Sequence, residues 1–66
     1  MWTRHVITGN YIHRDRAWVL IRELVRYDDG TIVKEFTLRN YEKNFSQLLK
    51  AGNLYTALDE ADVIIG

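Results

Sequence analysis

The stretch that decides the fold reads Ala17-Trp-Val-Leu-Ile-Arg-Glu-Leu-Val-Arg-Tyr27, then Asp28-Asp29-Gly30-Thr31, then Ile32-Val-Lys-Glu-Phe-Thr-Leu-Arg-Asn40. Two β-branched and aromatic runs flank an Asp-Gly pair, the strongest short-range sign of a β-hairpin. Two registers compete. A three-residue loop, a type I turn with a bulge at Gly30, pairs Tyr27 with Thr31 and sets Leu24 beside Lys34. A two-residue loop over Asp29-Gly30 pairs Tyr27 with Ile32 and Glu23 with Phe36. A shift of one residue turns a strand's whole side-chain set over, so only one can hold. The three-residue loop gathers Trp18, Leu20, Leu24, Ile32, Phe36 and Leu38 on one face, and is preferred. Its cost is Glu23 opposite Glu35, a like-charge pair. The second face carries Val19, Ile21, Val25, Tyr27, Val33 and Thr37, which calls for a central strand or an outer cover.

Residues 14–27 also fit a helical period through Ala17, Leu20, Ile21, Leu24 and Val25. Short apolar runs carry this ambiguity. A helix would strand residues 31–39 without a hairpin partner, so the hairpin reading is kept.

The chain has 66 residues, enough for a single domain over 1–66. A chain this short buries only about 60% of its unfolded surface and is marginal in stability. With no cysteine, disulfides and thiolate metal sites are excluded. A well-packed core or self-association must make up the difference. The net charge is zero, but it is unevenly spread. Residues 1–26 hold five arginines against Asp15 and Glu23, a net +3; residues 27–66 hold four cations against seven carboxylates, a net −3. The halves compensate within one fold, or they meet across copies or partners. No signal peptide or membrane span is expected, and a cytoplasmic protein is.

Outward from the hairpin, residues 2–12 read as a first strand, broken at Gly9-Asn10. After Leu38 the period lengthens. Tyr41, Phe45, Leu48 and Leu49 form a helical stripe that Asn40 or Asn44 can cap and Gly52 can end. Asn53 can cap a second short helix with the stripe Leu54, Ala57, Leu58, Ala61. Val63–Ile65 closes the chain as a short strand or as packing under the sheet. The expected fold is therefore α+β: an antiparallel three-stranded meander, four-stranded if 63–65 joins, with one or two short C-terminal helices on one face. The expected core sets Trp18, Leu20, Phe36 and Leu38 against Phe45, Leu48, Leu49 and Leu58, so that Leu48→Asp should unfold the domain.

Few motifs carry chemistry. His13-Arg14-Asp15 has the letters of a kinase catalytic loop, but Leu20 stands where that loop needs Asn. His5 and His13, on one extended strand, would lie roughly 26 Å apart; they could share a metal only if the chain folded back near Gly9. Asp28 and Asp29 are explained by the turn. Asp59, Glu60 and Asp62 lie where the helix dipole disfavours carboxylates, so they pair with arginines or form an acidic surface. No nucleophile–base set or phosphate-cradling loop is present, so no catalytic residue, cofactor or metal is expected, and the chain reads as non-enzymatic. The order of elements resembles that of the small arm-type DNA-binding domains of tyrosine recombinases. That resemblance is in element order alone; such domains are strongly basic, this chain is neutral, and no motif carries a residue over.

The candidate interaction residues are Trp2, Tyr11, Arg14, Arg16, Arg22, Arg26 and Tyr27, because arginine and aromatics together populate protein–protein hot spots and nucleic-acid surfaces. The functional expectation is a small protein-interaction module that self-associates through a sheet face or edge, with itself or another protein as partner. The alternative is a nucleic-acid-binding or regulatory accessory protein using the first two strands.

Overall fold

The computed structural model describes residues 2–15 and 17–66. Five antiparallel strands form one sheet whose spatial order equals their order in the chain. They are β1 (Trp2–Arg4), β2 (Tyr11–His13), β3 (Trp18–Arg26), β4 (Ile32–Asn40) and β5 (Phe45–Leu48), followed by one helix, α1 (Leu54–Ile65). The α+β antiparallel meander with a C-terminal helix is as expected, with more strands than the three or four predicted.

The β3–β4 hairpin takes the three-residue register: Leu24 faces Lys34 and Glu23 faces Glu35. The Gly30 amide donates to the Tyr27 carbonyl at 3.0 Å, and the Tyr27 amide donates to the Thr31 carbonyl at 2.8 Å. Gly30 sits at φ +88°, a left-handed conformation that glycine adopts without steric cost. The Thr31 amide donates to Asp29 Oδ1 at 2.9 Å, closing the corner.

The first expected strand is two strands. The chain turns back between His5 and Asn10, with Gly9 at φ +74° and the His5 amide donating to the Asn10 carbonyl at 2.7 Å. Trp2 therefore pairs with His13, and Arg4 with Tyr11.

The helix expected over Tyr41–Leu49 is instead a turn and strand β5. The Asn40 side chain is buried, and its Oδ1 accepts from the amides of Glu42 and Lys43, each at 2.9 Å. These are the bonds of a helix N-cap, but the coil stops after one turn. Asn44 then takes φ +52°, a left-handed conformation that Asn tolerates, and sends the chain back along β4. The period from there is two: Phe45 and Leu49 point to the core while Ser46 and Leu48 point away. Leu48 is 58% exposed, so it leaves the core, and Leu48→Asp should spare the fold. Gly52, expected to end that helix, takes no left-handed φ.

The second expected helix is α1. Asn53 Oδ1 accepts from the Thr56 amide at 3.0 Å. Residues 63–65 continue the helix instead of adding a strand. Ala57 and Ala61 are fully buried against the sheet; their small side chains let the helix axis come close. The core is Trp18, Leu20, Phe36, Leu38 and Leu49 under these alanines, with Phe45, Leu54, Leu58, Ile64 and Ile65 packed at its margin. Trp18 meets Phe45 edge-on at 5.7 Å between ring centroids. Each large side chain buried there contributes roughly 1.5–3 kcal/mol. Leu24 and Ile32, expected on the same face as these residues, are 68% and 56% exposed.

No helix among the described residues is long and apolar enough to cross a membrane.

Candidate interaction surfaces

Side chains alternate between sheet faces, so the register assigns each residue to the helix side or the open side. The open side carries Val19, Ile21, Val25 and Val33, with Ile12 opposite Val19 and Leu48 opposite Thr37. Among the described residues no element packs on this face. Its β-branched side chains are half-buried among one another, and Leu48 stands bare beside them. Polar groups sit at two levels. The carboxylates of Glu23 and Glu35 oppose each other on one rung; four residues back toward the core, past the Ile21–Thr37 rung, Arg39 opposes Val19. The Arg39 guanidinium lies over the Tyr41 ring at 4.8 Å and has no carboxylate partner among the described residues.

The helix side divides along the hairpin. Near α1 it is the core. Beyond α1 it carries Arg22, Leu24, Arg26, Lys34 and Ile32, all exposed. Arg4 on β1 belongs to the same side, by its pairing with Tyr11 and Tyr11's with Leu20. The strip thus holds Arg4, Arg22, Arg26 and Lys34, while Glu23 and Glu35 point to the other face and Asp28 and Asp29 lie at the tip. Arg22 reaches sideways, its Nη2 lying 3.8 Å from where a Cβ on Gly9 would stand.

The candidate residues do not form one patch. Arg22 and Arg26 share the helix-side strip. Tyr27 falls on the open side by alternation. Arg14 is exposed in the turn after β2, and Arg16 lies outside the described residues. Tyr11 is packed at the core margin. Trp2 is engaged structurally: its Nε1 donates to Asp62 Oδ1 at 2.9 Å, and its ring meets His13 edge-on at 5.0 Å. Sequence reasoning missed Arg4 and Lys34 on the strip and Ile12, Leu48, Glu35 and Arg39 on the open face. The preferred register already placed Lys34 with Arg22 and Arg26. Arg4 and Ile12 needed the chain reversal at Gly9, and Leu48 needed the recognition of β5.

Among the described residues the carboxylates of α1 make no ion pair with an arginine. Both oxygens of Glu60 accept from the Lys50 amide at 3.1 Å, and Oε1 also takes the Ala51 amide at 3.1 Å. This fastens the β5–α1 connection to the helix. Asp62 holds Trp2. At the hairpin tip, hydrogen bonds from Thr31, its backbone amide first, hold the Asp29 carboxyl below the ordinary carboxylate value of 3.8.

The fold-back at Gly9 sets His5, just past the end of β1, and His13, on β2, along one open cleft of about 510 Å³ that Thr3, Ile12 and Arg14 also line. His13 Nδ1 lies 3.4 Å from Asp15 Oδ1 but makes no well-aligned hydrogen bond. Among the described residues no three groups are placed to hold a metal ion.

Compared with known proteins, the chain matches no protein-family model, no curated protein and no solved structure.

Proposed function

We propose that this chain is a non-enzymatic protein-interaction module that self-associates through the open face of its sheet. The observation that carries the reading is an apolar sheet face over which no described element packs, the half-buried Ile12, Val19, Ile21, Val25 and Val33 beside the exposed Leu48. Contiguous exposed apolar surface marks an interaction site. The face is favoured over the edges. The edge strands β1 and β5 have three and four residues, and short edge strands offer little ladder for a partner. The nine-residue strands β3 and β4 extend about 30 Å, and with β2 and β5 beside them the face covers roughly 400 Å² in plan. Side-chain relief adds to that, against about 800 Å² per partner in a standard interface. Sedimentation equilibrium tests the reading: a mass above 7.8 kDa that rises with concentration is expected, and a monomer at every concentration overturns it.

A second reading rests on the strip of Arg4, Arg22, Arg26 and Lys34. Three of them, Arg22, Arg26 and Lys34, lie on one side of the two-stranded β3–β4 ribbon and Arg4 lies two strands away on β1; cations on such a ribbon suit the phosphate backbone of a duplex, whose major groove admits it. Base stacking is disfavoured because Trp18 is buried and Trp2 is bonded to Asp62. Binding to mixed-sequence duplex DNA is then expected to weaken with salt, the logarithmic slope approaching about −3 to −4 if each cation meets one phosphate. Absence of binding at low salt removes this reading.

A further inference from the structure

Resting on the open-face reading, we infer that the partner is a second copy packed face to face with its strands antiparallel to the first, the two-fold axis crossing the Ile21–Thr37 rung. The charges on the face favour this arrangement over the one whose axis runs along the strands. In an isologous pair each surface must complement itself. An axis running along the strands keeps every rung at its own level. It stacks Glu23 and Glu35 of one copy over the same pair of the other, gathering four carboxylates. An axis running across the strands reverses their direction and keeps each strand over its own copy. Centred on Ile21–Thr37, it carries the Glu23–Glu35 rung onto the Val19–Arg39 rung of the second copy.

The register makes this match. Glu35 lies two residues to one side of Thr37 on β4 and Arg39 two residues to the other, so each stands about 7 Å from the axis level. Glu35 of each copy then meets Arg39 of the other, twice over. Shifting the centre two residues either way superposes like charges: the carboxylate rung on itself, or Arg39 on Arg39. The central row becomes Ile21, Thr37 and Leu48 of both copies, since Leu48 pairs with Thr37. Leu48, bare in the single chain, packs on its own counterpart across the axis. The arrangement also accounts for the unfavourable Glu23–Glu35 rung. A like-charge cross-strand pair costs stability in one copy, and a cation from the second copy offsets it on assembly.

Sedimentation velocity on the full chain and four variants tests this, with circular dichroism melts confirming that each folds. The wild type is expected to dimerise. Glu35→Arg and Arg39→Glu each bring cations or carboxylates together and should weaken the dimer about tenfold or more. The double exchange Glu35→Arg/Arg39→Glu should restore it. Leu48→Asp should abolish it while leaving the melt near that of the wild type. If Leu48→Asp dissociates the dimer but neither single charge variant does, the antiparallel geometry is overturned and the open face stands. If the wild type is monomeric throughout, or dimerises regardless of Leu48→Asp, the open-face reading falls.

Discussion

The two halves of the β3–β4 hairpin share strands, register and side-chain alternation, yet one is core and the other is bare. On the helix side, Trp18, Leu20, Phe36 and Leu38 are 0–8% exposed, whereas Leu24 and Ile32 are 68% and 56% exposed. The difference is one of length. A twelve-residue helix extends about 18 Å, while a nine-residue strand extends about 30 Å. The helix runs out of reach before the hairpin does. A period of two in a sequence says which side chains share a face; it does not say how far along the strand that face is covered.

Mutation should expose the contrast directly. Phe36→Ala, under the helix, is expected to cost about 3–5 kcal/mol, enough to abolish a cooperative urea transition in a domain this small. Leu24→Ala, on the same face beyond the helix, should change stability by no more than about 0.5 kcal/mol. Comparable losses at the two sites would mean that the outer half is covered after all.

Fastenings around the covered half come next. Asn40→Ala removes the acceptor of two turn amides from a buried position and should cost about 1–3 kcal/mol, read as a lowered urea midpoint. Glu60→Ala frees the Lys50 and Ala51 amides at the join between β5 and α1. A charged acceptor is involved, so about 1.5–3 kcal/mol is expected, with the exposure of one amide placing it near the lower end. Faster hydrogen exchange at residues 50 and 51 would locate the effect.

The smallest effect belongs to the bare tip. The folded Asp29 carboxyl titrates below its ordinary value of 3.8. Its contribution is therefore present above that value and lost as pH falls through the folded one. The stability difference between wild type and Asp29→Ala should be measurable near about pH 6 and close under more acid conditions. A gap that widens in acid would contradict the assignment.

Much of the sheet was legible because its chemistry is local. Asp-Gly fixed a turn, and the preferred register followed from which face it made apolar. Asn53 marked α1 because a side-chain acceptor there has only the helix amides to serve. The region around Asn40 was misread for an equally local reason: its oxygen caps one turn whether or not a helix follows. Only the left-handed Asn44 separates the two outcomes, and Asn is compatible with either. Tyr41, Phe45, Leu48 and Leu49 satisfied a helical stripe by coincidence with the strand pattern Phe45, Gln47, Leu49. The candidate surfaces were less legible still. Trp2 and Tyr11 drew attention as aromatics but serve the fold, and the bareness of the open side is a property of what fails to reach it, which no pattern within β3 or β4 encodes.

Because strand order in space follows strand order in the chain, the whole sheet can assemble from neighbours before α1 docks. Until then Leu20, Phe36 and Leu38 lie as unprotected as Ile21 and Val33 do in the finished molecule. A polypeptide halted at residue 53 would thus be a blade sticky on both flats, prone to stack without limit. The helix covers one flat and leaves the other, so the association proposed above would stop at two copies.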